Sequence, residues 1–289
     1  MSSRRPFRAA LLPALLLSLA HARPCAAGTD LGKVPSRALG GDVPVSVLLP
    51  PSYGSAPETR YPVLYFLHDA LGNERTLQAR GVSERLEAAM KDGGLPEMLV
   101  VAPRGSGSWY IDSFDGRRRY GTFLDEELVP WVDAGYRTRP SKASRAVAGI
   151  SMGGYGALRW LLREPERFAW AGALSPAVLQ LTSNAVATLG FFQKLSLTKV
   201  FGKDERTNVY RANDLYQVLL DDPSLARRLP PISLRAGRSD EYHIDMLSVY
   251  LSKYLSAMGA TASLTLEQGT HDWEYWKVSL PALLKDLPF

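Results

Sequence analysis

The sequence predicts an α/β fold, in which a mostly parallel central sheet is covered by helices on both faces. Two observations lead to this prediction. Short apolar runs typical of buried strands alternate with helical patterns along most of the chain. One such run, residues 144–149, passes through the glycine-flanked Ser151 into a helical pattern, as a sharp strand-to-helix turn does. The chain has 289 residues, 46% of them hydrophobic, and can therefore bury one large core or two small ones.

The first residues have the pattern of a secretory signal peptide. Three arginines precede the apolar run 9–20, and Ala20 and Ala22 supply the small residues of a cleavage site. The apolar run is short for a membrane span and contains Pro13. We therefore expect cleavage near Ala22 to remove residues 1–22, which leaves a secreted or periplasmic protein without a stable membrane span.

The segment that follows is expected to be a flexible leader. Residues 23–38 are polar and rich in Gly and Pro, and the folded domain is expected to cover residues 39–289. Cys25 is the only cysteine, so no internal disulfide and no thiolate zinc site can form. The residues before it, Ala22 to Pro24, do not match the small apolar residues of a lipid-attachment site, which argues against a lipoprotein.

The charge of the chain does not indicate a nucleic-acid partner. The net charge of +5 includes the three arginines of the signal peptide, and the mature chain carries +2. Arg117, Arg118 and Arg119 form the densest basic cluster, but an isolated trio is typical of a solvated turn. We expect no nucleic-acid partner, and the sequence carries no indication of an oligomeric state.

Seven strands and five helices are predicted along the domain. The strands are Val43–Leu49, Tyr61–Leu67, Met98–Ala102, Ala143–Gly149, Ala169–Leu174, Ile232–Ala236 and Ala262–Leu266. The helices are Gly81–Lys91, Tyr120–Ala134, Gly154–Arg163, Glu241–Met258 and Glu274–Asp286. Residues 176–230 interrupt the alternation with helical spacings, which predicts either a helical cap over the strand ends or a helical layer that extends the core.

Ser151 is the predicted nucleophile. Gly149 and Gly153 leave room for the backbone to turn sharply, so that the serine hydroxyl stands exposed at the end of a strand. A serine needs a base, and the base needs a group that orients it. His271 follows the last predicted strand and therefore lies at the same sheet edge.

The third member is expected between these two, after a strand. Asp240 follows the strand Ile232–Ala236 and gives the chain order nucleophile, acid, histidine that an α/β-hydrolase has. Glu241 and Asp245 are the fallback acids, and capping of the next helix is the structural alternative for Asp240. His243 is expected on that helix, facing the pocket rim or solvent.

Two backbone N–H groups are expected to form the oxyanion hole. Met152 begins the helix after the nucleophile, and Ala70 lies in the loop after the strand Tyr61–Leu67, with Leu71 as the alternative donor. His68 belongs to the same loop and is expected near the substrate.

Further residues near the strand ends are candidates for substrate binding. Trp109, Tyr110 and Asp112 form one group, and Trp273 follows the candidate base. Trp109 and Tyr110 could equally be packing residues of their loop.

The chain resembles a known esterase family of α/β-hydrolases. The runs Gly149–Leu158, Trp109–Asp112 and Gly269–Trp276 carry the resemblance, which covers nearly all of the mature chain. The family includes esterase D, feruloyl and acetyl xylan esterases and the antigen 85 mycolyltransferases. The resemblance implies an α/β-hydrolase fold and the triad named above. Many relatives have glycine after the histidine of the oxyanion loop, whereas this chain has Asp69.

These observations lead to one leading hypothesis and two alternatives. The leading hypothesis is a secreted serine esterase that forms an acyl-enzyme on Ser151, needs no metal or cofactor, and acts on a small-molecule, carbohydrate or lipid ester. The first alternative is an acyltransferase of the antigen 85 type. The second is a surface binding protein with a vestigial hydrolase fold.

Overall fold

A single sheet of eight strands organises the described part of the protein. The computed structural model describes residues 28–178, 197–203 and 208–289. The strands are β1 Gly28–Ser36, β2 Gly41–Leu49, β3 Val63–Leu67, β4 Leu99–Pro103, β5 Arg145–Ile150, β6 Trp170–Leu174, β7 Ile232–Gly237 and β8 Ala262–Glu267. Their order is β1-β2-β4-β3-β5-β6-β7-β8. The first two pairings are antiparallel and the others parallel, so the predicted mostly parallel sheet is confirmed.

Helices follow most of the strands. They are α1 Thr76–Ala79, α2 Val82–Lys91, α3 Tyr120–Thr122, α4 Val129–Gly135, α5 Met152–Arg163, α6 Asn208–Asn213, α7 Leu215–Asp221, α8 Pro223–Arg228, α9 Ile244–Ala257 and α10 Trp273–Leu283. A π-helical turn, Phe123–Leu128, joins α3 to α4. The seven predicted strands all form, with ends within two residues of their predicted positions.

The alternating side chains of the central strands build one core on each face of the sheet. Leu64 and Phe66 of β3 belong to a cluster with residues of α2 and α10. Tyr65 and Leu67 belong to a second cluster with residues of α5, α9 and the π-helical turn. Because successive side chains of a strand point to opposite faces, a strand buried on both sides must be apolar throughout, as β3 is.

The expected flexible leader is wrong over residues 28–36. These residues form β1, which pairs with β2 over nine residues. Only the last part of β1 is buried, with Val34 at 1% exposure. Because the rest of this edge strand is polar and partly exposed, its sequence lacks the apolar run that predicts a strand. The expected signal peptide and Cys25 lie outside the described residues.

The described parts of the segment 176–230 pack in two different places. Residues 197–203 pack against the loop after β4: Phe201 contacts the Trp109 ring at 6.2 Å between centroids. Helix α7 instead buries Leu215 and Leu219 beside α5 and α9, and thus extends the helical layer of one face. The rest of the expected cap, residues 179–196 and 204–207, lies outside the described residues.

Candidate active site

The turn between β5 and α5 holds Ser151 in a strained conformation. The backbone of this serine has φ 54° and ψ −117°, and α5 begins at the next residue. A Cβ on Gly149 would lie 2.1 Å from the carbonyl oxygen of Gly153, and a Cβ on Gly153 would lie 1.9 Å from that of Leu67. Glycine is therefore required at both positions. The turn presents Ser151 at the carboxyl edge of the sheet.

Ser151, His271 and Asp240 are connected by hydrogen bonds. The distance from Ser151 Oγ to His271 Nε2 is 2.9 Å, and that from His271 Nδ1 to Asp240 Oδ2 is 2.7 Å. Since a carboxylate only accepts, Nδ1 carries the proton and Nε2 accepts the serine O–H. The side chain of Asp240 is fully buried, and that of His271 is 12% exposed. The arrangement can transfer a proton from the serine to an oriented imidazole.

The loop after β7 directs Asp240 toward the histidine. Its second oxygen, Oδ1, accepts the backbone N–H of Tyr242 at 3.0 Å, which fixes the carboxylate. Helix α9 begins at Ile244, four residues later, so Asp240 does not cap it. The structure thus brings the sequence-predicted acid, base and nucleophile together.

The neighbouring polar residues have other positions. Glu241 accepts the backbone N–H of His271 at 3.1 Å, and Asp245 lies in the first turn of α9. His243 directly precedes α9 with φ 55° and is exposed. Neither fallback acid contacts the imidazole of His271 among the described hydrogen bonds.

Two aromatic rings hold the His271 imidazole edge-on. Tyr242 lies 5.1 Å and Trp276 4.8 Å from it between ring centroids, at interplanar angles of 79° and 85°. The indole N–H of the buried Trp276 donates to Ser175 Oγ at 3.1 Å, and Ser175 follows β6. Sequence reasoning missed this enclosure, since it joins residues from three separate loops. The aromatic residues Trp273, Tyr275 and Trp276, which follow His271 in the sequence, are the local signal for it.

The turn after β3 contains two candidate oxyanion donors, Ala70 and its alternative Leu71, and only one of them is unpaired. The N–H of Leu71 donates to Asp69 Oδ1 at 2.9 Å, whereas the exposed Ala70 has no acceptor for its N–H among the described residues. Met152, at the start of α5, likewise has no acceptor there. The geometry therefore favours Ala70 over Leu71 as the partner of Met152.

His68 is a structural residue, and its expected place beside the substrate is wrong. The side chain is 0% exposed. Its Nδ1–H donates to the carbonyl of Asp69 at 2.6 Å, and its Nε2 accepts the N–H of Gly105 at 2.7 Å. Burial lowers the pKa of His68, which keeps the ring neutral as these two bonds require.

The first group of expected substrate residues is also occupied by internal packing. Trp109 is 7% exposed, with its ring against Tyr155 at 5.6 Å. Tyr110 is 2% exposed and donates its hydroxyl to the carbonyl of His68 at 3.0 Å. The carboxylate of Asp112 accepts from both the N–H and the hydroxyl of Thr122, at the start of the helical segment. The packing alternative therefore describes Trp109 and Tyr110, whereas the side chain of Asp112 is 34% exposed and holds Thr122.

Trp273 remains at the edge of the site, in a contact that sequence reasoning did not foresee. Its indole N–H donates to Asp69 Oδ2 at 3.2 Å, and Arg80 lies 5.6 Å from its ring.

No cluster of three or more His, Cys, Asp or Glu side chains in the described ranges could hold a metal ion. Among the described helices, none has both the length and the apolar character that a membrane crossing requires.

Comparisons with known sequences match this chain to esterases. The family model described as "Putative esterase" matches residues 36–287. Esterase MT1326 of Mycobacterium tuberculosis is 37% identical over 149 residues, which are 50% of this chain and 31% of that protein. The chain therefore spans about a third of that relative. An acetyl esterase of Caldicellulosiruptor saccharolyticus is 25% identical over 225 residues, 74% of this chain and 78% of the relative.

Solved structures share the fold. A ferulic acid esterase superposes with a TM-score of 0.75 at 23% identity, covering 91% of this chain and 98% of that one. The Mycobacterium tuberculosis MPT51 structure superposes with a TM-score of 0.67 at 21% identity, covering 91% of this chain and 98% of the other. At these identities the likeness establishes the fold alone.

Proposed function

The chain belongs to the esterase family matched above, and from that premise we propose that it is a serine esterase that hydrolyses a carboxylic ester through an acyl-enzyme on Ser151. The observation that carries the proposal is the unbroken hydrogen-bond chain from Ser151 Oγ through His271 to the buried Asp240, at 2.9 and 2.7 Å. The strained turn that places the serine between the end of β5 and the start of α5 supports the same assignment.

The first half of the reaction forms the acyl-enzyme. Ser151 Oγ attacks the ester carbonyl carbon while its proton passes to His271 Nε2, and the buried carboxylate of Asp240 stabilises the imidazolium. The tetrahedral intermediate then expels the alcohol, which takes the proton from Nε2. An acyl group remains on Ser151 Oγ.

The second half releases the acid. Water gives a proton to His271 Nε2 as its oxygen attacks the acyl carbon, and collapse of the second intermediate returns this proton to Ser151 Oγ. In both halves the N–H groups of Met152 and Ala70 donate to the negatively charged oxygen. Both donors are free of acceptors among the described residues, which supports this role.

The relatives suggest where to look for the substrate. One is named an acetyl esterase, and a solved structure with the same fold is a ferulic acid esterase. Acetylated and feruloylated sugars are therefore the first esters to offer, beside p-nitrophenyl esters of rising chain length. Added alcohols in the same assay separate hydrolysis, which yields the free acid, from acyl transfer of the antigen 85 type.

We also propose that the protein is exported. The arginines and the apolar run within residues 1–22 support a signal peptide cleaved near Ala22. The mass of the protein recovered from a culture medium or periplasm tests this. A mature chain that retains residues 1–22 would contradict it.

The experiment that tests the activity is labelling with a fluorophosphonate, which reacts with an activated serine. The wild type is expected to be labelled at Ser151, and Ser151→Ala is expected to lose both labelling and p-nitrophenyl ester turnover by several orders of magnitude, with an unchanged melting temperature. Ser144→Ala is the matched control, since Ser144 directly precedes β5, at the end opposite Ser151. A folded wild type that is not labelled would overturn the proposal and favour a binding protein.

A further inference from the structure

Asp69 connects two loops that are far apart in the chain. One carboxylate oxygen, Oδ1, accepts the N–H of Leu71 in its own turn at 2.9 Å. The other, Oδ2, accepts the indole N–H of Trp273 at 3.2 Å, across 204 positions of sequence. The residue is 5% exposed. Because a buried carboxylate is costly unless its oxygens accept hydrogen bonds, both contacts help to hold it in place.

On one side, the link defines the turn that carries Ala70. The carbonyl of Asp69 accepts from the Nδ1–H of His68 at 2.6 Å and from the N–H of Gly72 at 3.1 Å, while its side chain accepts from Leu71. The N–H groups of Leu71 and Gly72 are thereby used within the turn. The N–H of Ala70, at its tip, has no acceptor among the described residues.

On the other side, the hydrogen bond to Trp273 connects Asp69 with the loop of His271. Trp273 lies two residues after His271, and its ring packs edge-on against Trp276 at 5.5 Å between centroids. Trp276 in turn packs against the His271 imidazole at 4.8 Å. The carboxylate of Asp69 is therefore connected to the histidine ring through two successive aromatic contacts.

We propose that Asp69 is a positioning residue, which sets the Ala70 N–H relative to His271 and Ser151 through its hydrogen bond to Trp273. This inference rests on the proposed esterase function. A glycine at this place cannot make the bond, so the link distinguishes this chain from relatives with glycine there. An oxyanion donor contributes only when it lies at the position of the developing charge, and small displacements lower the rate of the chemical step.

A double-mutant cycle between Asp69 and Trp273 tests the link. Asp69→Asn keeps the shape and one accepting oxygen, which can serve Leu71, but then turns an amide N–H₂ toward the indole. Trp273→Phe keeps a ring against Trp276 and removes the N–H donor. Each change is expected to lower kcat about tenfold with KM within about twofold, because the donor acts on the transition state.

The double variant decides the matter. If one bond carries both effects, Asp69→Asn combined with Trp273→Phe lowers kcat about tenfold, whereas independent effects would multiply to about a hundredfold. Arg80→Ala is the control: Arg80 contacts the Trp273 ring but not its N–H, so kcat is expected to stay within about twofold. Melting temperatures of all variants separate misfolding from mispositioning.

Three outcomes would overturn the inference. Multiplying effects would show that the two residues act separately. A higher kcat in Asp69→Asn would show that the charge repels the oxyanion and that the link does not matter. An unchanged indole N–H resonance of Trp273 in the NMR spectrum of Asp69→Asn would show that the bond is absent. A folded wild type without labelling or turnover would instead overturn the esterase function itself.

Discussion

Two histidines follow strands of the same sheet, and the partners of their ring nitrogens give them different roles. His68 donates from Nδ1 to a carbonyl and accepts at Nε2 from the N–H of Gly105, so neither nitrogen is available to a serine. His271 donates from Nδ1 to Asp240 and leaves Nε2 to accept from Ser151. Both residues are histidines at the carboxyl ends of strands, but only the ring of His271 can serve as a base.

The acid assignment makes a prediction at this scale. In Asp240→Asn, the amide can present its N–H₂ to Nδ1, which favours the tautomer with the proton on Nε2 and blocks acceptance from Ser151. We expect kcat to fall about 10³-fold to 10⁴-fold, somewhat less than for Ser151→Ala, with little change in melting temperature.

The neighbouring carboxylates provide matched controls for this variant. Glu241→Gln can still accept the backbone N–H of His271 through its amide oxygen, and Asp245→Asn lies within α9. Both should retain kcat within roughly tenfold of the wild type, a loss well below that of the tautomer change. A greater loss in either control than in Asp240→Asn would mean that the wrong acid has been assigned.

At the residue scale, what the sequence could predict depended on chain order. Ser151, Asp240 and His271 each follow a strand of a parallel sheet, and the ends of such strands meet at one edge, so their proximity was predictable. The contacts of Asp69 with Trp273 and of Trp276 with Ser175 were not, because they join loops through side-chain packing. No local pattern encodes such contacts.

At the scale of elements, the strand-to-helix turn depends on a close approach between backbones. Gly153 lies where the start of α5 meets the end of β3, and this contact sets the nucleophile beside the loop of Ala70. The glycine pattern made the turn predictable. Strand β1 was missed because, of its nine residues, only Val34 and Ser36 are buried, and a half-exposed polar edge strand lacks the apolar run that marks the others.

The contact makes a prediction for Gly153→Ala. Its Cβ would lie 1.9 Å from the carbonyl oxygen of Leu67, so α5 or β3 must shift. We expect a loss of about 1–3 kcal/mol in the free energy of unfolding and at least about a tenfold loss of kcat/KM, measured by urea denaturation and ester turnover.

Gly135 offers the matched control, because nothing lies within 4 Å of a Cβ built there and it ends a helix. Gly135→Ala should change the free energy of unfolding by no more than about 1 kcal/mol. Equal effects of the two substitutions would contradict the steric explanation.

At the scale of the whole molecule, the site is assembled from loops that follow β3, β5, β6, β7 and β8. The antiparallel strands β1 and β2 contribute none of the triad. They lie at one side of the sheet, and β8 is the last strand on the opposite side. Stability and catalysis are therefore expected to depend on different parts of the chain. Changes at β1 should affect folding, while changes at the loops should affect turnover.

Two shortened chains test this division. A chain that begins at Arg23 keeps β1 and is expected to match the full-length protein in melting temperature and kcat/KM. A chain that begins at Leu39 loses β1, exposes the edge of β2, and leaves Glu127 without the Ser36 hydroxyl and the backbone N–H groups of Arg37 and Ala38 that it accepts. Such an open edge favours aggregation.

Point substitutions in β1 test whether its buried side chains, and not only its backbone pairing with β2, contribute to stability. Val34 is 1% exposed and Leu31 43% exposed on the same strand. Val34→Ala should lower the free energy of unfolding by about 1–3 kcal/mol, since it removes buried methyl groups, and Leu31→Ala by less than about 1 kcal/mol. Both variants should keep the kcat of the wild type, because β1 lies at the sheet edge away from the triad. If the chain that begins at Leu39 proved as stable as the chain that begins at Arg23, residues 23–38 would be a leader after all, and β1 would contribute nothing to the fold.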